Sequence, residues 1–253
     1  AAWLPQQEDF VVSLRELLGV IGAWEWRQKG VWIASLQERI YPFYGVFSPI
    51  RGEYLDLVAQ APLPEPCQRA FDIGAGTGVL SAILAQRGVQ EIFATDNSSR
   101  AVACSQFNLA HLGFSEQVTV LEQEFFPEGQ ADLIVCNPPW LPSKSASTLE
   151  AAVYDPNSRM LKGFLQGAEK HLTTHGQAWL IISDLAEHLG LRRREELLMW
   201  IKEAGLQVVQ RYDTKPVHRK ASDEGDALHQ ARSVEVTSLW VLTRATSTKA
   251  QTN

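Results

Sequence analysis

A polar amide followed by two prolines and an aromatic ring, Asn137-Pro138-Pro139-Trp140, is the clearest candidate for chemistry in this sequence. The tetrapeptide follows an apolar run at 132–136 that is typical of a buried strand. Proline lacks an N–H group and has a fixed φ, so two in succession end a strand and hold the preceding residue extended. Open α/β sheets bind ligands beyond the carboxyl ends of their strands, where this rigid amide would lie. The arrangement suits a planar acceptor that carries an NH2 group, although a turn that only caps the strand would use the same residues.

A glycine-rich turn at residues 74–78, with glycine at 74, 76 and 78, is the second candidate. Glycine lets the backbone turn sharply and lets a ligand approach it closely. The spacing differs from the G-x-G-x-x-G pattern of dinucleotide sites, because Val79 takes the place of the third glycine. The turn also lacks the lysine of a phosphate-binding loop, and Asp72 just before it would repel phosphates and attract a cation.

A further carboxylate, Asp96, is expected at the end of the second strand, where an acidic residue commonly binds ribose hydroxyls. A ligand with a ribose, no phosphate and a positive charge fits S-adenosylmethionine. The alternative is that the glycines form a tight packing turn and bind nothing. Because Asp72, Asp96 and Asn137 all fall at predicted strand ends, the sequence favours the ligand site over the packing turn.

These residues would be positioned by an alternation of strands and helices that begins near residue 70. Strands are predicted at 70–73, 91–95, 118–121, 133–136, 178–182, 206–212 and 234–242, and helices at 79–87, 98–113, 158–172 and 186–204. Such alternation predicts an α/β fold with a doubly wound, mostly parallel sheet. No helical pattern separates the last two strands, which predicts an antiparallel edge.

The chain is predicted to divide at a proline-rich segment. The predicted parts are a helical, substrate-recognition segment at 1–60, a linker at 61–68, the catalytic domain at 69–244 and a tail at 245–253. Mixed helical periodicity predicts helices at 8–21 and 31–40, whereas the aromatic, turn-rich segment 41–49 is not expected to be helical. The polar segment 215–232 is interpreted as a long loop, either a lid over the substrate or a mobile connection.

Composition sets the broad class. The chain has 253 residues, of which 45% are hydrophobic and 21% charged, which are globular values, and its net charge of −6 argues against non-specific binding to long nucleic acids. Three scattered cysteines, no signal-peptide pattern and no membrane-length apolar run predict a cytoplasmic protein with reduced thiols and no membrane partner. Six dispersed histidines predict no metal site. The sequence begins with Ala1 and not with methionine, and it leaves open whether a further segment precedes it.

The chain resembles the class I S-adenosylmethionine-dependent methyltransferases over about residues 69–242. The Asn137-Pro138-Pro139-Trp140 motif is similar to the N/D-P-P-Y/F/W motif of their amino-methyltransferases. Within that group the chain looks most like the HemK/PrmC-type protein-glutamine methyltransferases and their small methyltransferase domain relatives. Residues 47–53 resemble the I-P-R-P-x-T-E linker of that family, and residues 124–126 fall where it has D-W-F.

The resemblance implies a seven-stranded class I methyltransferase sheet with an antiparallel final strand, preceded by a small helical appendage. It implies that Asp72 and the glycine turn hold the methionyl part of the cofactor, that Asp96 binds the ribose, and that Glu124 and Phe125 hold the adenine. The cofactor-binding set is therefore Asp72, Gly74, Ala75, Gly76, Thr77, Gly78, Asp96, Asn97, Glu124, Phe125 and Asn137. The catalytic set is Asn137, Pro138, Pro139 and Trp140, with Asn137 and Pro138 accepting N–H bonds from the acceptor while Trp140 stacks on it.

The predicted activity is an N-methyltransferase that uses S-adenosylmethionine and releases S-adenosylhomocysteine. The acceptor is expected to be a protein glutamine side chain or a related small-molecule nitrogen. One alternative is an exocyclic amine of a base in RNA or DNA, unstacked into the pocket beside Trp140. The other is a regulatory subunit that binds S-adenosylmethionine without turnover. The oligomeric state stays open.

Overall fold

A computed structural model describes residues 14–49, 52–142, 155–215 and 229–246. The N-terminal part of this structure holds helix α1 (Leu14–Lys29), a hairpin of β1 (Val31–Ile33) and β2 (Glu38–Ile40), and helix α2 (Glu53–Gln60). The remaining elements are β3 (Arg69–Ile73), α3 (Val79–Gln86), β4 (Glu91–Asp96), α4 (Ser99–His111), β5 (Val118–Glu122), β6 (Ala131–Cys136), α5 (Arg159–His171), β7 (Leu172–Ser183), α6 (Leu185–His188), α7 (Arg194–Glu203), β8 (Leu206–Thr214), α8 (His229–Arg232) and β9 (Thr237–Arg244).

Seven strands form one sheet in the order β5-β4-β3-β6-β7-β9-β8. The pairs between β5 and β7 are parallel, whereas β9 lies antiparallel to both β7 and β8. This confirms the predicted doubly wound, mostly parallel seven-stranded sheet with an antiparallel final strand. The strand order places β3 between β4 and β6, so the carboxyl ends of these three strands meet at one edge.

Both faces of the sheet are covered, and β6 shows why its sequence is apolar throughout. Leu133 and Val135 pack into the core on one face, with α2 and α3, while Ile134 and Cys136 pack into the core on the other, with α5 and α7. All four side chains are fully buried. A parallel strand that is buried on both faces needs a continuous apolar run, and its pairing ends where the two prolines follow.

Two helical predictions are wrong. Residues 31–40 form the β1–β2 hairpin and not a helix, and the predicted helix at 186–204 is broken into α6 and α7. The break falls at Gly190, which has a φ of +67°. A glycine in this left-handed region ends a helix without the steric cost that other residues incur.

Other parts of the N- and C-terminal predictions also change. Helix α2 was not predicted, whereas the non-helical segment 41–49 is confirmed. Of the predicted helix at 8–21, residues 8–13 lie outside the described residues and the remainder belongs to α1. Most of the 215–232 loop likewise lies outside the described residues, and its last four residues form α8. The division at 60 and 68 stays a prediction.

Arg192 is buried, although it belongs to a run of three arginines at 192–194 whose charge favours a solvated position. Its side chain is only 4% exposed and donates to the carbonyl oxygen of Ser183. Burial lowers the pKa of this guanidinium, an effect that the nearby carboxylate of Glu187 counters. The residue therefore fills the gap between α6 and α7.

Within the described ranges, no helix is both long enough and apolar enough to cross a membrane. The same residues contain no group of three or more histidine, cysteine or acidic side chains that is arranged to hold a metal ion.

Candidate active site

A cavity of about 520 Å³ opens at the carboxyl ends of β3, β4 and β6. This volume lies in the range that small-molecule and cofactor sites occupy. Twelve of the predicted site residues line it: Gly74, Ala75, Gly76, Thr77, Asp96, Asn97, Glu124, Phe125, Asn137, Pro138, Pro139 and Trp140. Asp72 and Gly78 do not line the cavity and lie behind its wall.

The glycine turn is fixed to β4 through its backbone. The N–H groups of Gly74 and Ala75 both donate to the carbonyl oxygen of Thr95, over 2.8 and 3.0 Å. Gly76 has a φ of +56° and open space where a side chain would begin, so a ligand can approach its backbone. Gly78 allows α3 to pack closely against α4. A Cβ at this position would lie 3.2 Å from the Cα of Ser105 and would push the two helices apart.

Asp96 ties the turn to the start of α4. Its Oδ2 accepts from the Gly76 N–H and its Oδ1 accepts from the Ser98 N–H, each over 3.0 Å. Burial raises the pKa of this carboxyl above its ordinary value, and the two backbone hydrogen bonds oppose that shift. Each carboxylate oxygen can accept a second hydrogen bond, so Asp96 can still receive hydroxyl groups of a ligand in the cavity.

Asp72 supports the turn from behind. Its side chain is fully buried, and Oδ2 accepts from both the N–H and the hydroxyl of Ser81 at the start of α3, over 3.0 and 2.6 Å. Its Oδ1 has no hydrogen-bond partner among the described residues. Burial raises the pKa of Asp72 to about 6, the hydrogen bonds from Ser81 lower it, and the charge of Asp96 raises it. Burial therefore disfavours the ionised form of Asp72, and ionisation of this side chain at neutral pH lowers the stability of the fold.

Substitution of Asp72 by asparagine is expected to remove part of the pH dependence of folding. An acid whose pKa rises from 3.8 to about 6 on folding stabilises the protein below pH 4, and this stability is lost as the pH rises through 6. The free energy of unfolding of Asp72→Asn, relative to that of the wild type, should therefore increase by up to about 3 kcal/mol between pH 4 and pH 7.5. Urea unfolding at several pH values measures this difference, and two curves that stay parallel would contradict it.

Asn137 follows β6 directly, and its amide already has a partner. Its Oδ1 accepts from the indole Nε1–H of Trp140 over 2.9 Å. Asn137 and Trp140 are partly buried, Pro138 is buried, and the Trp140 ring packs against the cores on both faces of the sheet. The planar ring and the amide therefore form one wall of the cavity.

Glu124 and Phe125 line the cavity from the segment that follows β5. Glu124 is paired with Arg159 over 2.5 Å at an exposed position, so the pair contributes little to stability. Phe125 has a φ of +62°, its carbonyl oxygen accepts from the Thr95 hydroxyl, and its ring lies over Gly163 of α5. Phe126 lies over Gly167 one turn later and packs against the core.

The paired contacts on α5 give a matched prediction. A Cβ at Gly163 would overlap the Phe125 ring, and a Cβ at Gly167 would overlap the Phe126 ring. In each alanine variant the free energy of unfolding is expected to fall by about 1–3 kcal/mol because of overpacking, and the better helix propensity of alanine partly offsets this loss. Only Gly163→Ala displaces a ring that lines the cavity, so only this variant should lose affinity for S-adenosylmethionine, by about tenfold. Calorimetric titration and thermal unfolding of both variants test this, and an equal loss of affinity in Gly167→Ala would contradict it.

The residues that line the cavity but were missed by the sequence analysis include Tyr54 on α2, Met160 on α5 and Arg232 on α8. Met160 lies against Gly74, where a Cβ would overlap its methyl group. The spacing of Tyr54, Leu55 and Val58 is typical of a helix face and could have predicted α2, but it does not indicate that Tyr54 reaches the cavity. Arg232 carries no such signal, since it lies in a segment without periodicity.

Comparison with known proteins gives a consistent result. A family model described as methyltransferase small domain matches residues 45–197, more than half of the chain. The tRNA1(Val) (adenine(37)-N6)-methyltransferase of Parabacteroides distasonis is 29% identical over 160 residues, covering 60% of this chain and 65% of that protein. The release factor glutamine methyltransferase of Cereibacter sphaeroides is 29% identical over 157 residues, covering 53% of this chain and 56% of that protein. The chain thus spans less than two thirds of the length of these curated relatives.

Solved structures share the fold. The ribosomal protein L11 methylase of Lactobacillus delbrueckii subsp. bulgaricus superposes with a TM-score of 0.56 at 18% identity, covering 83% of this chain and 86% of that one. At this level of identity the likeness extends to the arrangement of strands and helices alone.

Proposed function

This chain belongs to the methyltransferase small domain family, and we propose that it is an S-adenosylmethionine-dependent N-methyltransferase acting on a planar amide or amine. The observation that carries the proposal is the Asn137 amide, held at the cavity wall by two prolines and facing the cavity that the glycine turn also lines. The glycine turn lacks both the spacing of a dinucleotide site and the lysine of a phosphate-binding loop, which disfavours hydride transfer and phosphoryl transfer. A methyltransferase for nitrogen needs oxygen atoms that orient the N–H groups of its acceptor.

The residues of the cavity fit S-adenosylmethionine. The open side of Gly76 gives room for the methionyl group, the spare lone pairs of Asp96 suit two ribose hydroxyls, and Phe125 offers a ring to the adenine. The uncompensated Oδ1 of buried Asp72 adds negative potential behind the turn, which favours a cationic ligand. When bound, S-adenosylmethionine supplies an electrophilic methyl group on a sulfonium sulfur.

The chain itself contributes positioning and fixed dipoles. A second lone pair on Asn137 Oδ1 and the backbone carbonyl of Pro138 accept the two N–H groups of the acceptor, which turns the nitrogen lone pair toward the methyl group. Trp140 stacks on the planar group and keeps water out. No general base is needed before the attack: as the N–C bond forms, the C–S bond of the sulfonium would break and S-adenosylhomocysteine would leave, and the methylated nitrogen would then release its surplus proton to solvent. The main contribution of the chain is therefore orientation in a preorganised site.

Two acceptors follow from the relatives. A glutamine side-chain amide is our first candidate, in line with the release factor glutamine methyltransferase of Cereibacter sphaeroides. The exocyclic amine of an adenine in RNA is the second, and the tRNA1(Val) (adenine(37)-N6)-methyltransferase of Parabacteroides distasonis favours it. The glutamine amide and the adenine amine are both planar NH2 groups of similar shape, so Asn137 and Trp140 could bind either of them.

The three cysteines are free thiols, which supports a reducing, cytoplasmic location.

Labelled S-adenosylmethionine distinguishes the candidates. Wild-type protein is incubated with separated protein, tRNA and small-molecule fractions from cells, and labelled fractions are then treated with protease or nuclease. Label that protease releases supports glutamine, label that nuclease releases supports the base, and mass spectrometry identifies the methylated nitrogen. Tight binding of S-adenosylmethionine with no label in any fraction would overturn the enzyme and support the binding-only regulatory subunit.

A further inference from the structure

Glu124 and Arg159 both line the cavity and are bonded to each other. The Nη2 atom of Arg159 donates to Oε1 of Glu124 over 2.5 Å. Among the described residues, no donor other than Arg159 meets this carboxylate, and each carboxylate oxygen can accept more than one hydrogen bond. The pair therefore leaves Oε2 of Glu124 available to a ligand in the cavity.

The main chain on both sides of Glu124 is fixed, but its side chain is not. The N–H of Gln123 donates to the carbonyl oxygen of Asp96 over 3.0 Å. The hydroxyl of Thr95 donates to the carbonyl oxygen of Phe125 over 2.6 Å. The side chain of Glu124 is 43% exposed and has one more rotatable bond than aspartate would have. Its carboxylate would move among several rotamers if it stood alone, so its position depends on the one side chain bonded to it.

The backbone that carries Arg159 is fixed as well. Arg159 is the first residue of α5, and the carboxylate of Asp155 accepts from the N–H groups of the next two residues over 2.9 and 3.1 Å. These two residues are Met160, which packs against Gly74, and Leu161, which is buried in the core. The Arg159 guanidinium thus reaches Glu124 from a helix end that has little freedom to move.

We propose that Arg159 is a positioning residue that holds Oε1 of Glu124, so that Oε2 accepts from the amino group of the adenine of S-adenosylmethionine. A guanidinium can only donate, so Arg159 cannot bind this amino group itself and acts on it through Glu124. The proposal rests on the proposed function and adds a residue that selects adenine in the cofactor. Because an exposed ion pair adds little to stability, loss of Arg159 should leave the fold intact.

The test compares two ligands that differ only in the amino group. One is S-adenosylhomocysteine, and the other is its analogue with hydrogen in place of the 6-amino group, which keeps every ring nitrogen. Neither carries the sulfonium charge, so removal of a cation from the cavity does not by itself favour one of them. Wild-type protein is expected to bind S-adenosylhomocysteine at least about tenfold more tightly than the analogue, the effect of one hydrogen bond to a charged group.

Arg159→Ala is expected to reduce this ratio of affinities to less than about threefold. The affinity for S-adenosylhomocysteine should fall, whereas the affinity for the analogue and the thermal unfolding midpoint should not change. Calorimetric titration with both ligands measures the ratio. An equal loss of affinity for the two ligands would show that Arg159 contacts another part of the cofactor, and a wild-type ratio in the variant would show that Glu124 needs no such support. Either result would overturn the proposal.

The matched control is Arg69→Ala. Arg69 is bonded to Glu91 over the same 2.5 Å at a comparable exposure, and neither residue lines the cavity. This variant should keep the wild-type ratio, and a reduced ratio would overturn the assignment to Arg159. The double variant Glu124→Ala/Arg159→Ala should bind S-adenosylhomocysteine no more weakly than Glu124→Ala alone, because the arginine then has nothing to position. Two losses that multiply would show that the residues act separately and would also overturn the proposal.

These measurements need no turnover, so they separate the proposal from the proposed function. If the wild type methylates no fraction while the ratios behave as expected, the methyltransferase activity fails and the role of Arg159 stands. If the wild type binds both ligands equally but transfers methyl groups, the role of Arg159 fails and the activity stands.

Discussion

Replacement of Asn137 by alanine is expected to lower the rate of methyl transfer at least about a hundredfold, the effect of removing one preorganised polar group at a reacting centre. The affinity for S-adenosylmethionine should change by less than about twofold, because the backbone turn and Asp96 are untouched. The physical reason is that the side chain supplies the oxygen that orients the acceptor nitrogen, while Pro138 and Trp140 alone cannot fix both N–H groups. Single-turnover rates and calorimetric titration measure the two quantities on the same protein.

Thermal unfolding is the control for the Asn137 variant. Asn137 is only partly buried and its side-chain oxygen is bonded to the Trp140 indole, so the unfolding midpoint should fall by a few degrees at most. If cofactor affinity falls as far as the rate does, Asn137 belongs to the cofactor site or to the fold. The proposed catalytic role would then be wrong.

Replacement of Asp96 by alanine is expected to have the opposite profile, with the affinity for S-adenosylmethionine reduced about a hundredfold. Two hydrogen bonds to a charged group contribute together about 3 kcal/mol or more, which corresponds to this factor. The variant also releases the Gly76 and Ser98 N–H groups, so the turn that faces the ligand loses an anchor. At saturating cofactor the rate of transfer should recover to near the wild-type value.

Glu122 offers the matched control for Asp96. It is the register partner of Asp96 on the neighbouring strand β5, is exposed, and does not line the cavity. Glu122→Ala removes the same charge one strand away, so its effect measures the general electrostatic contribution. Equal losses of affinity in the two variants would show that Asp96 does not contact the ligand directly.

The clustering of the site was predictable because it follows from parallel strands. Asp72, Asp96 and Asn137 come at the ends of three strands that lie side by side, and a parallel sheet brings such ends to one edge whatever the loops do. The sequence signals were local: an apolar run, a glycine turn and a pair of prolines. Each signal indicated only where one strand ends and which side chain follows it, and the parallel sheet then brings the strand ends together.

Tyr54 shows what local signals cannot reach. It lines the same cavity as Asn137, from a helix whose position depends on how Leu55 and Val58 pack against the core. No pattern in the residues around it specifies that position. Prediction of its place in the cavity required the tertiary arrangement of α2 against the sheet.

The hairpin at 31–40 shows how a local signal can mislead. Ile33, Leu36 and Ile40 are buried, and their spacing matches one face of a helix. In the structure Gln37 takes a φ of +53° and turns the chain back, so these three side chains reach the core from a turn and two short strands. The guanidinium of Arg39 then donates to the carbonyl oxygens of Lys29 and Gly30 and holds the hairpin to the end of α1.

The position of β9 has a consequence for the synthesis of the protein. Strand β9 lies between β7 and β8, although it follows both in the chain, and among the described strands β8 pairs with β9 alone. While a ribosome is still translating residues 237–244, β7 has an open edge and β8 lacks the one strand it pairs with among the described residues. Unpaired strand edges are sites of aggregation, so the nascent chain passes through a vulnerable stage that ends only when β9 is inserted.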